Sequence, residues 1–222
     1  MLFRICQGGN IGIRMTAGAG LTVENTFIAN LSGTGISVTT AASVRVTDTT
    51  IRGNGGAGVD LRNGARATIT RATISGNANV GVFVQGAVAS SFTTADIANS
   101  TINGNLRGVM AYSTNATASV RVSVQGSQVV QNNDFGVIAE SIAAGPVTLA
   151  ASNNIITSSI WGVGAYSLGS KVWVSGNTIS GNNVGLINAN AGGILESAGN
   201  NAMRNNIVDT SGTGAITFIA TK

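Results

Sequence analysis

The chain has 222 residues, of which 31 are glycine and one is proline, and only 9% are charged. Twelve basic residues against eight acidic ones leave a net charge of +4, and the interleaved aromatics of a nucleic-acid module are missing, so no nucleic-acid partner is expected. Histidine is absent, which removes Ser-His-Asp and Cys-His triads, His-ligated zinc and an imidazole base, and the single cysteine, Cys6, leaves no intrachain disulfide.

Taken from the start, Met1 to Asn10 show no basic stretch followed by an apolar run, so no export signal is expected there. No apolar run is long enough for a membrane-spanning helix. From Gly12 onward one unit repeats. It restarts at Gly12, Gly35, Gly58, Gly81, Gly108, Gly136, Gly162 and Gly185, at intervals of 23 to 28 residues, which is the period of a solenoid. Each unit holds three short alternating runs, as expected for three strands whose side chains point in and out by turns.

The first strand offers inward pairs such as Ile36 and Val38, or Val82 and Val84; the second offers Val44 and Val46, or Val172 and Val174. The third gives one inward residue per coil: Ile28, Ile51, Ile74, Ile102, Val129, Ile156, Ile179 and Met203. Three residues further on stand Leu31, Asn54, Asn77, Asn105, Asn132, Ser159, Asn182 and Asn206, and such a column of Asn at one corner is expected to form an amide ladder. Corner residues Asn25, Asn30, Asp48 and Asn63 are turn formers.

The pattern G-V-x-V, then V-x-V, then T-I-x-G-N resembles the right-handed parallel β-helix repeat of the pectate lyase-like superfamily. The resemblance implies an all-β solenoid of about eight three-stranded coils over residues 12–210. Residues 1–11 are then a cap or first partial rung, and 211–222 a closing strand. It also implies a secreted or surface protein, and it is nearly silent about activity, because this architecture hosts lyases, glycosidases, epimerases, adhesins and inert stalks.

Three consecutive coils are longer, with extra residues around Gly86 to Ser91, Ser113 to Ser119 and Ser141 to Pro146. Insertions stacked at one corner build a wall beside which solenoids place binding sites. On the strand before that corner the outward residues change from polar to apolar, giving a stripe of Phe83, Met110, Tyr112, Ile138, Tyr166 and Ile187. Such a stripe is an interaction site for a glycan, a small molecule or a second subunit, unless loops fold back over it as a satellite core. The second strand carries Arg45, Arg66, Asp96, Arg121, Lys171 and Trp173 outward, either scattered solvated charges or a basic face for an acidic glycan with Trp173 as stacking surface. Apolar residues at the opening coil, Leu2, Phe3, Ile5, Ile11 and Ile13, together with the stripe, point to a homo-oligomer.

Candidates for catalysis are few. Asp60 and Glu140 share a face but stand three rungs apart, roughly 14 Å, too far for paired carboxylates. Asp134 and Glu140 are the remaining acid pair. With Asn132 and Asn133 near Asp134, an oxygen-rich corner for Ca²⁺ is conceivable, where a metal-activated water would open an ester or lactone. The calcium-binding Asp cluster with its arginine, and the paired-Asp motif with its His, are not found. Binding through the stripe is therefore the leading expectation, and a hydrolase or lyase the alternative.

Overall fold

Strand-forming alternation, repeated with glycine at a fixed place, can bury its apolar faces only by stacking one repeat on the next. The computed structural model, which describes residues 3–6 and 8–219, has this form. Three sheets of nine strands each run the length of the molecule, every pairing is parallel, and no helix occurs among the described residues. Sheet A begins with Phe3–Cys6 and Thr26–Ala29, sheet B with Ile13–Met15 and Ile36–Val38, and sheet C with Gly20–Glu24 and Ser43–Thr47. Eight coils are complete, each contributing in turn to B, C and A; Phe3–Cys6 precedes them, and Val208–Ser211 and Ile216–Ile219 follow, making about nine turns. The side-chain expectations for Leu2, Phe3 and Cys6 lie outside the described residues.

The core is the stack of inward columns. Ile28, Ile51, Ile74, Ile102, Val129, Ile156 and Ile179 are each 0% exposed and pair in register along sheet A, so each isoleucine rests on its copy in the next coil. The restart glycines hold this stack together sterically. A Cβ at Gly35 would lie 2.6 Å from the carbonyl oxygen of Gly58, and one at Gly58 or Gly81 2.7 Å from the carbonyl of the following restart glycine. Any side chain at this position would push the coils apart.

Two ladders of buried amides and hydroxyls line the inside corners. At the corner between sheets A and B, Asn54 Nδ2 donates to Asn77 Oδ1 (2.9 Å), Asn77 to Asn105 (2.9 Å), Asn105 to Asn132 (3.2 Å) and, further on, Asn182 to Asn206 (3.1 Å). Each Oδ1 also accepts the backbone N–H of the preceding coil, as Asn105 Oδ1 does from Asn77 (3.0 Å). The second ladder, at the corner between C and A, escaped the sequence reading because its chemistry changes along the column. It runs through Thr49, Ser100, Ser127, Asn154, Asn177 and Asn201, with backbone N–H donors such as that of Ser127 reaching Asn154 Oδ1 at 2.9 Å. All of these stand two residues before the inward sheet A residue, so the offset was available. Asn25 and Asp48 turn the corner from C to A, Asn30 that from A to B and Asn63 that from B to C, with positive φ of 47° to 59°.

The first ladder is interrupted where Ser159 replaces Asn, and Ser159 Oγ is buried without a hydrogen-bond partner. Ser159→Asn is expected to restore the missing rung and raise the melting temperature by a few degrees, whereas Asn105→Ala leaves the N–H and Nδ2 of Asn77 without their acceptor, takes a donor from Asn132 Oδ1, and lowers stability by about 2 kcal/mol. Paired thermal melts check both; equal melting of all three proteins would remove the ladder as a source of stability.

Candidate functional site

The face that the longer coils flank is the outer side of sheet B. Its strands there are Val80–Gly86, Arg107–Ser113, Phe135–Ser141, Trp161–Tyr166 and Val184–Asn188. Cross-strand register makes two outward rows: Asp60, Phe83, Met110, Ile138, Gly164 and Ile187, and beside it Gln85, Tyr112, Glu140 and Tyr166. The expected apolar stripe is therefore contiguous.

It is not, however, fully exposed. Met110 is 3% and Ile138 2% exposed, so the expectation that they present a surface is corrected: they belong to a second apolar cluster together with Val80 and Phe135. Phe83, Tyr112, Tyr166 and Ile187 pack against this cluster and stay half-buried, with one side toward solvent. A lateral subunit contact through Met110 and Ile138 does not fit this burial.

The cover comes from residues that the sequence reading passed over, those immediately before a restart glycine. Alternation breaks at the glycine, so that Val80, Arg107, Phe135 and Trp161 join the outer face as a third row, in mutual register. Phe135 leans across Gly164, where a Cβ would lie 2.6 Å from its ring, and stacks on Trp161 at 4.7 Å. Its edge meets Tyr166 at 6.0 Å and 89°. On the other flank Phe83 and Tyr112 rings lie 5.8 Å apart. Aromatics before two successive restart glycines, Phe135-Gly136 and Trp161-Gly162, were the signal to read.

The polar groups of the face are largely committed to one another. Arg62 Nη2 donates to Asp60 Oδ2 at 2.6 Å and Gln85 Nε2 to Asp60 Oδ1 at 2.8 Å. Arg107 Nε donates to Asp134 Oδ2 at 2.7 Å, and its Nη1 lies 3.6 Å from Met110 Sδ. Asn132, expected to add oxygen to a Ca²⁺ corner with Asp134, is instead 0% exposed in the ladder, its Oδ1 accepting the backbone N–H of Asn105 at 3.1 Å. Among the described residues no three His, Cys, Asp or Glu are gathered to hold a metal.

Glu140 is different. Burial pushes its carboxyl above the ordinary 4.5, Arg107 pulls it down, and Asp134 adds to the rise. Tyr112 is raised as well, first by burial and then by the charge of Glu140. Asp134 and Glu140 thus share one electrostatic neighbourhood with Arg107 and Tyr112, the only predicted acids that the fold brings together.

Trp173 lies on another face, the outside of sheet C, 36% exposed, beside a hollow of about 220 Å³ that it shares with Arg121 and Lys171. Lys171 is paired with Glu196 at 3.3 Å and Arg45 with Glu24 at 3.4 Å, while Arg66 and Arg121 both lie over the ring of Phe92, at 6.0 and 5.3 Å. Two larger open grooves, about 510 and 580 Å³, also lie on that side, both lined by small residues and Arg66, the first also by Phe92 and the second by Arg45 and Asp96. Size alone does not make them better sites, since they lack clustered aromatics.

Residues 3–147 match the family model of the right-handed β-helix region. The chain belongs to that family. Among solved structures, pectate lyase Pel9A superposes on this β-helix over 96% of the chain and 55% of its own, with a TM-score of 0.62 at 11% identity. The A-module of mannuronan C-5 epimerase AlgE6 from Azotobacter vinelandii covers 100% of the chain and 58% of its own, with a TM-score of 0.46 at 17% identity. The β-helix spans little more than half the length of these neighbours, and at such identity the likeness is one of fold. No curated protein sequence matches it.

The environment of Glu140 carries a pH dependence. Folding favours its protonated form, so stability is greatest below the ordinary pKa of 4.5 and is lost as pH rises through the elevated value. Glu140→Gln, which cannot ionise, is expected to melt higher than the parent at neutral pH and together with it at pH below about 4. A melting difference independent of pH would contradict this assignment.

Proposed function

We propose that this β-helix binds a glycan on the outer face of sheet B. The observation that carries the reading is Tyr112 and Tyr166 standing half-exposed in one outward row, against the apolar cluster of Met110, Ile138 and Phe135 and beside the longest corners of the solenoid. Half-buried tyrosines suit sugars because a ring face covers the C–H side of a pyranose while the hydroxyl still reaches water. A flat, aromatic, strand-built surface parallel to the solenoid axis suits an extended chain better than a compact ligand. The polysaccharide setting, and with it a secreted or surface location, is supported by the fold shared with a pectate lyase.

Replacing Tyr112 and Tyr166 together by alanine is expected to abolish retention on polysaccharide columns, with melting temperature nearly unchanged. A melting loss as large as that of a core deletion, with retention intact, would mean that the rings are only packing.

One observation favours a second, enzymatic reading: Glu140 holds its proton to higher pH than a free carboxyl and touches the electrostatics of Tyr112, as a general acid would. Under that reading Asp134 and Glu140 act as hydrolase or lyase residues on a polysaccharide, ester or lactone, with Ca²⁺ as the candidate cofactor. Assays on uronate polymers, esters and lactones, with calcium or with chelator, should then show turnover that fails in Asp134→Asn and Glu140→Gln; turnover equal in all variants would exclude these acids.

A further inference from the structure

We infer that Glu140 and the tyrosines on either side of it form a slot for a protonated amine, so that the glycan taken by this face is an amino sugar polymer with free amino groups. The inference rests on the glycan reading above and adds the ligand's chemical class.

Charge comes first. The cationic side chains of this face are paired: Arg62 with Asp60, to which Gln85 also donates, and Arg107 with Asp134. None of the ion pairs among the described residues includes Glu140. The groups around Glu140 are Tyr112 and Arg107 from one neighbouring strand, Tyr166 from the other, and Asp134 just ahead of its own strand. Arg107 is the one cation in that set, and Asp134 already takes its Nε at 2.7 Å. The carboxylate left over is therefore the strongest feature the face offers a ligand. It attracts a cation and repels a uronate.

Geometry comes second. Tyr112, Glu140 and Tyr166 are direct cross-strand partners in three successive coils. At one rung spacing each, the backbones of the two tyrosines stand roughly 9.5 Å apart with that of Glu140 midway. An ammonium group seated over Glu140 then lies within about 6 Å of both rings, the range in which a ring face attracts a cation. Both walls are braced, Tyr112 by Phe83 of the preceding coil and Tyr166 by Phe135, which comes from Glu140's own strand, lies over Gly164 and is stacked on Trp161. Little ordering of the walls is left for the ligand to supply. Glu140 itself, half-buried, gains most from a partner that replaces lost water.

The experiment compares glucosamine oligomers with their fully N-acetylated counterparts by calorimetry, at a pH where Glu140 is ionised and the amines remain protonated. Tetramethylammonium serves as a sugar-free probe of the slot. The expected result is at least tenfold tighter binding of the free-amine oligomer, with the preference erased in Glu140→Gln while binding of the acetylated oligomer persists. Equal affinity for the two oligomers in the parent protein overturns the inference and leaves glycan binding standing. Binding of tetramethylammonium that Glu140→Gln removes, with neither oligomer bound, keeps the slot and overturns the glycan reading. No binding of any of the three probes overturns both.

Discussion

The structure depends on how closely one coil can lie on the next. At each restart glycine the carbonyl of the following coil occupies the space a Cβ would need, at 2.6 Å for Gly35 and 2.7 Å for Gly58. Backbone hydrogen bonding sets the rung spacing, glycine at this position permits it, and every column in the molecule inherits it. Isoleucines stack on isoleucines only because the backbones are this near, and the same nearness lets an Asn side chain reach both the amide and the side chain of its neighbour. Glycine is needed here for room rather than for an unusual φ, since none of the restart glycines has a positive one.

The two ladders divide the coil into parts that can and cannot vary. Where A meets B, and where C meets A, buried polar groups bond from coil to coil, and an inserted residue would orphan them in an apolar interior. Only the corner between B and C carries neither ladder, and there the long insertions fall. Variation in length is thus confined to the border of sheet B's outer face, next to its aromatic cluster. A site is built where the scaffold tolerates change.

On that face, packing and chemistry come from the same residues. Phe135 covers Met110 and Ile138 and at the same time meets Tyr166 in a T-shaped contact. Removing water from the cluster also removes it from Glu140, whose carboxyl rises for that reason first. The pairing of Arg107 with Asp134 then leaves Glu140 with a field but no bonded cation. A face that began as a second apolar cluster is in this way given one charge with a defined place.

How much of this was legible in the sequence follows from what a period can encode. A position that recurs every coil shows itself: the restart glycines, the inward isoleucines, the Asn column and the corner that lengthens all follow from stacking in register, which copies each offset along the chain. The Thr, Ser and Asn ladder had the same regular offset but changed residue type, so only its geometry was encoded. What tertiary structure alone decided is lateral, between rows rather than along them. The bend at each glycine reverses the alternation and turns Phe135 and Trp161 outward, and the empty side of Gly164 admits the Phe135 ring. Those two events bury Met110 and Ile138 and brace Tyr166, because which side chain covers another depends on the backbone's local direction and not on its repeat.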